Sequence, residues 1–189
     1  MAGMYAVYHG PEGIRNIAMD IHQLTITLAN ELSKMGLKIK NEHFFDTLEI
    51  EIPGKVSTAD IEKLALSRQL NFRYIDTQVI GLSIDETTSL EDINSIVGVF
   101  SEALGSNGGE LFISGIEQDK PLRVPDRLRR KSEFLQHPVF NSYHSETEMM
   151  RYMKLLENKD LALNRTMIPL GSCTMKLNAA SEMFAITWP

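Results

Sequence analysis

Phe44-Phe-Asp-Thr-Leu-Glu-Ile-Glu-Ile52 alternates Leu48, Ile50 and Ile52 with Thr47, Glu49 and Glu51. That is the period-two pattern of a strand with one buried and one wet face, and Pro53-Gly54 ends it. Upstream, Ile14, Ile17, Ala18, Ile21, Leu24, Leu28, Leu32 and Met35 recur at three- and four-residue steps. They predict one stripe of an amphipathic helix, opened by Gly10-Pro11-Glu12-Gly13 and stopped by Gly36. His22 lies beside the stripe and reads as a partly buried or surface residue, not a ligand. Downstream, Ser57-Thr-Ala-Asp60 is a capping-box arrangement before a helix carrying Ile61, Leu64, Ala65 and Leu66. Phe72–Ile75 and Val79–Ile84 are short strand candidates. Thr88-Ser-Leu-Glu91 reads as a second capping box, starting a helix with Leu90, Ile93, Val97, Phe100 and Leu104. The order helix, strand, helix, strand, strand, helix predicts an α+β domain over residues 1–109: a small, largely antiparallel sheet with helices on one face.

Composition excludes several classes. Of 189 residues, 43% are hydrophobic and 23% charged, the balance of a globular protein. A net charge of -6 argues against a nucleic-acid binder, and the basic run Arg127-Leu-Arg-Arg-Lys131 is flanked by Asp126 and Glu133 as a solvated or docking face would be. The single cysteine forbids an internal disulfide and a thiolate metal site, so no metal is expected. No apolar run approaches the roughly 20 residues that span a bilayer, and Met1–Tyr8 lacks the basic start of a signal peptide. A cytoplasmic location is expected, with Met1–Tyr8 the buried end of an element cut from its context. Within 1–109 nothing reads as catalytic: His43 stands alone, and Gly108-Gly109 lacks the strand and helix that flank a phosphate loop.

Residues 110–163 change character. Pro121, Pro125 and Pro138 interrupt a stretch with little periodicity beyond a short helix expected near 127–136, which predicts an extended connector needing a surface to lie on. A further helix is expected near 145–158, with Ser145 capping and Glu148 three residues on. Met149, Met153 and Leu156 line one side of it as a core or docking stripe.

Near the end stands Met167-Ile-Pro-Leu-Gly-Ser-Cys-Thr-Met-Lys-Leu-Asn178, where small and hydroxylated residues crowd beside Lys176. The residues leave two chemistries open. Cys173 would be a nucleophile if His144 met it as a base. Alternatively, hydroxyls, backbone donors and Lys176 would hold an anion such as a phosphate or carboxylate. A site-like loop with only eleven residues after it, to Trp188-Pro189, leads us to expect a piece of a larger protein.

Met167 to Met183, followed by Ile186-Thr-Trp-Pro189, closely resembles the glycine cleavage system P-proteins, the pyridoxal-phosphate-dependent decarboxylating glycine dehydrogenases. So does His137-Pro-Val-Phe-Asn-Ser-Tyr-His-Ser-Glu-Thr-Glu-Met-Met-Arg-Tyr-Met153, and Tyr5-Ala-Val-Tyr-His-Gly-Pro11, Phe44–Leu48 and Asp85-Glu-Thr-Thr88 fall in matching order. Ser142, Ser181 and Ala185 depart from the family pattern. The resemblance implies two fused halves with the type I fold, the first without cofactor and the second binding it. Residues 1–109 would be the small C-terminal domain of the inactive half, 110–163 the connector, and 164–189 the start of the cofactor-binding half. The family's cofactor lysine follows a histidine; no His-Lys pair occurs here, so Lys176 is not that lysine and no catalytic residue is expected in this stretch.

The activity implied for the whole protein is an oxidoreductase reaction of glycine catabolism. Glycine loses carbon dioxide, and its aminomethyl group passes to the lipoyl arm of H-protein. Implied partners are glycine, lipoylated H-protein and the remainder of the P-protein, with a homodimer possible through apolar tails. Pyridoxal phosphate belongs to the full-length enzyme and is not expected on this stretch. Ser172, Cys173, Thr174, Lys176 and Asn178 are candidates for lining the pocket, or the loop only closes the interface between halves. An independent scaffold or interaction module without catalysis is the alternative reading.

Overall fold

In the computed structural model the alternating stretch is strand β2 (Thr47–Glu51), with Leu48 and Ile50 buried and Thr47 exposed. The structure describes residues 1–105, 113, 121–160, 162, 164, 165, 181 and 184–187. By their contacts they form two units: Pro11–Phe134, and Met1–Gly10 with Leu135–Pro189. The boundary expected at 109 thus falls inside the first of these.

In the Pro11–Phe134 unit, β1 (Lys38–Ile39), β2, β3 (Arg73–Tyr74) and β4 (Val79–Ser83) make one antiparallel sheet in the order β1-β2-β4-β3. Its register aligns Ile39, Ile50, Ile80 and Tyr74 across one face. Helices α2 (Thr58–Ser67) and α3 (Leu90–Ala103) and the later part of α1 (Ala2–Lys34) share the buried cluster with this face. Phe100 of α3 stacks on Phe72 with centroids 5.8 Å apart. The opposite face carries Lys38–Glu51 (2.9 Å) and Lys40–Glu49 (4.0 Å) pairs and the Thr47–Ser83 hydroxyl contact. The sheet therefore has helices on one face and polar groups on the other, as its alternation requires. β1, which the sequence pattern does not reveal, is two residues long. Beyond it the Asn41 amide takes over the pairing, donating to the Thr47 carbonyl (2.8 Å) and accepting from the Glu49 N–H (2.9 Å). Short, charged edges of this kind discourage pairing with another chain.

α1 begins at Ala2, before the expected start. It is two helical segments joined at Gly10, whose φ of 63° and ψ of -177° are not helical. Pro11 has no N–H and disfavours helical geometry in the residue before it, so the break falls there. At the far end Gly36 adopts φ 85°, and the Leu37 N–H reaches the Leu32 carbonyl (3.1 Å) while the Gly36 N–H reaches that of Ser33 (3.0 Å). This is a Schellman stop. Between the ends, residues 22–29 are buried on every side, not only along the stripe. Polar residues tolerate this because Thr25 and Thr27 donate to the carbonyls of Ile21 and Gln23, each 2.8 Å away.

His22 is 2% exposed, which corrects the partly buried or surface reading. Its Nε2 accepts from the Arg123 backbone N–H at 3.0 Å. An N–H can only donate, so the ring proton sits on Nδ1, which donates to the Phe45 carbonyl at 2.7 Å. The ring also stacks on Phe45 at 5.6 Å. Two more contacts tie later residues into this unit. The Asn94 amide pairs with both backbone groups of Ile113 (2.8 and 3.3 Å), and Arg15 and Arg130 each lie over the Phe134 ring. Ile113, Arg123 and Phe134 are thus each held within the Pro11–Phe134 unit. The helix expected near 127–136 is replaced by a single 3-10 turn, Asp126–Leu128, with Arg129 extended.

The second capping box is shifted by one residue. Thr88 exchanges hydrogen bonds with Asp85, and Ser89 caps α3 instead, paired with Asp92. Ser57 and Asp60 cap α2 as expected. The Ser89 hydroxyl, then its N–H, holds the Asp92 carboxyl below its ordinary 3.8; Ser57 does the same for Asp60, and the Thr87 hydroxyl leads the same effect on Asp85. No described helix is long and apolar enough to cross a membrane.

Two outcomes follow. A carboxyl depressed on folding contributes stability that is present above its unfolded pKa and lost as pH falls through the folded one. The gap in urea midpoint between the parent and Asp92→Asn should therefore be open at neutral pH and narrow as pH falls below about 3.8. His22→Ala removes both hydrogen bonds and leaves a cavity where a buried ring stood, so urea melts should show a loss of about 3 kcal/mol.

Candidate functional site

Two of the family-like motifs meet in the Met1–Gly10 and Leu135–Pro189 unit. His137 begins a 3-10 turn, Pro138–Asn141, with its Nδ1 accepting from the Val139 N–H at 3.1 Å. The Asn141 amide donates to the Leu135 and His137 carbonyls, and the Ser142 hydroxyl to that of Pro138. The turn is therefore fixed by its own side chains before anything else packs on it. It delivers His144, whose Nδ1 donates to the Tyr8 carbonyl at 2.7 Å. The break at Gly10–Pro11 frees carbonyls at the end of the first helical segment, and an imidazole N–H is a suitable cap for one.

Gly10 makes this approach possible. A Cβ placed there would lie 2.7 Å from the Phe140 carbonyl oxygen and 2.7 Å from His144 Cε1. Its φ and ψ also belong to a region open essentially to glycine alone. Around the junction the Tyr5 and His9 rings are 4.3 Å apart, Tyr8 stands edge-on to His9, and Tyr143 stacks on Tyr152 at 4.4 Å. Tyr152 belongs to α4 (Glu146–Glu157), capped by Ser145 through the Glu148 N–H. Of the expected stripe, Met149 and Leu156 are half-buried, whereas Met153 is exposed and Tyr152 takes its place.

The Pro11–Phe134 unit has an open groove of about 420 Å³ between β3, β4 and the start of α3, lined in part by Asn71, Arg73, Ser83, Asp85, Thr87 and Asp92. It does not suit pyridoxal phosphate. No lysine lines it, and the depressed carboxyls of Asp85 and Asp92 oppose a phosphate. Among the described residues no group of three His, Cys, Asp or Glu side chains is placed to hold a metal ion.

Ser172, Cys173, Thr174, Lys176 and Asn178 lie outside the described residues. His144, the base that a Cys173 nucleophile would need, has its Nδ1 committed to the Tyr8 carbonyl. His43 is exposed. The Gly10 junction was missed by sequence reasoning, although Gly-Pro inside a helical run was its signal. Gly10→Ala should destabilise this junction by about 2–3 kcal/mol, measured by denaturation. The His144 Nδ1 resonance should lose its hydrogen-bonded shift in that variant and keep it in Pro11→Ala.

The model of the glycine cleavage system P-protein matches residues 1–100. The chain is 50% identical over 190 residues to a glycine dehydrogenase (decarboxylating) 2 of Pseudomonas fluorescens, covering 100% of this chain and 19% of that protein. It is 48% identical to a glycine dehydrogenase (decarboxylating) of Photobacterium profundum, with 100% of this chain and 19% of the relative covered. For that of Bacteroides fragilis the identity is 46%, over 99% of this chain and 19% of the relative. The chain thus spans about a fifth of the length of the curated relatives it matches. A family model matched over more than half of the sequence, and identity that runs its whole length, assign this chain to the glycine cleavage system P-protein family.

Proposed function

We propose that this chain is one contiguous part of a pyridoxal-phosphate-dependent glycine decarboxylase and is catalytically inert alone. The observation that carries the reading is near-50% identity along the entire chain to relatives of which it spans 19%. In this reading residues 1–109 are the small domain of the half without cofactor, 110–163 join the halves and 164–189 open the other half. The antiparallel sheet with helices on one face suits such a small domain.

In the whole enzyme the cofactor supplies an electron sink for loss of carbon dioxide from glycine. The aminomethyl group then goes to the lipoyl arm of H-protein. Ser172, Cys173, Thr174, Lys176 and Asn178 would line that pocket, with Lys176 offering positive charge to a carboxylate or phosphate. The rest of the P-protein is the immediate partner. The inert-part reading rests on the absence of a His-Lys pair from the sequence.

Two measurements test this. The purified chain mixed with pyridoxal phosphate should give no stoichiometric, borohydride-sensitive absorbance at a single lysine; such a band would refute inertness. Substituted for the corresponding fifth of the Photobacterium profundum relative, the chain should sustain glycine–carbon dioxide exchange, and a folded but inactive chimera would refute the decarboxylase reading.

A further inference from the structure

The first helical segment of α1 has two unlike sides. Val7 is 5% exposed and Gly10 is buried, facing Phe140 and His144. Met4 and Tyr5, each about one helical turn before Tyr8, are exposed as it is, at 39%, 40% and 39%. Among the described residues of this unit only Val7, Gly10 and Ala162 are buried, and α4 buries none while exposing Met150, Met153 and Leu155. Short helices without a buried face are marginal in water, so these elements need a covering surface from elsewhere.

We propose that the Met4–Tyr5–Tyr8 face is a docking surface for the part of the P-protein that lies outside this chain. The inference rests on the reading of the chain as one part of a glycine decarboxylase. In the relatives that match the whole chain, about four-fifths of the sequence lies outside the matched part, and that is the source of the cover. A thioether and two phenols define its chemistry. The covering surface is apolar at its centre, where rings and sulfur pack, and offers hydrogen-bond acceptors at its rim for two tyrosine hydroxyls.

The test places Met4→Ser/Tyr5→Ser/Tyr8→Ser in the full-length Photobacterium chimera. A control chimera carries Leu66→Ser/Ile75→Ser, at residues 59% and 43% exposed in the other unit. Limited proteolysis follows the population of the opened form. The triple variant should be cleaved about tenfold faster or more than the unsubstituted chimera, and the control at the parent rate. Equal cleavage of an active triple-variant chimera overturns the docking face and leaves the decarboxylase reading intact. An unsubstituted chimera that folds without activity overturns that reading and this inference with it. Sedimentation of the isolated chain supplies the remaining outcome. If it forms a stable dimer that the triple substitution disperses, while chimera cleavage is unchanged, a second copy is the occupant and the proposal is wrong.

Discussion

A buried imidazole organises the α+β domain. His22 has two ring nitrogens of opposite character, one donor and one acceptor, and the fold supplies a backbone acceptor at Phe45 and a backbone donor at Arg123. One side chain thereby joins a long helix, the approach to the central strand and a segment 101 residues away in sequence. Few side chains other than a neutral histidine offer this pair of valences with a flat face to stack on Phe45. The cost of burying this polar ring is met because both of its nitrogens are hydrogen-bonded, each to a backbone group.

The second constraint is the Gly10–Pro11 break. A continuous helix would leave the first ten residues with the Pro11–Phe134 unit. The break instead lets them belong with residues 135 onward. Proline removes the hydrogen bond and glycine supplies the backbone angles, so the division is written in a dipeptide. The close approach of Phe140 and His144 then uses the space that a missing Cβ leaves.

Legibility varied with how local the determining force was. The period-two pattern of β2 and the Gly36 stop were plain because alternation and positive φ act on adjacent residues. The capping residue of α3 was placed one position early because Thr88 is taken by Asp85 three residues before it, which leaves the cap to Ser89. Burial of His22 was not readable. Helical periodicity marks an apolar stripe, whereas here the remaining sides are also covered and Thr25 and Thr27 satisfy themselves on the helix backbone. The helix expected near 127–136 failed for want of a buried face, since Leu128 stays 67% exposed and every residue from 126 to 133 is exposed. For the 167–178 motif, which lies outside the described residues, the sequence yields residue types and a family; the described geometry reveals the junction at Gly10.

The Asn94 pin on Ile113 reads only the backbone of a single residue. It imposes no demand on which side chain stands at 113, nor on how many residues separate it from the end of α3. Asn94 itself is not free in this way, because an aspartate there would set a carboxylate against the Ile113 carbonyl it now donates to.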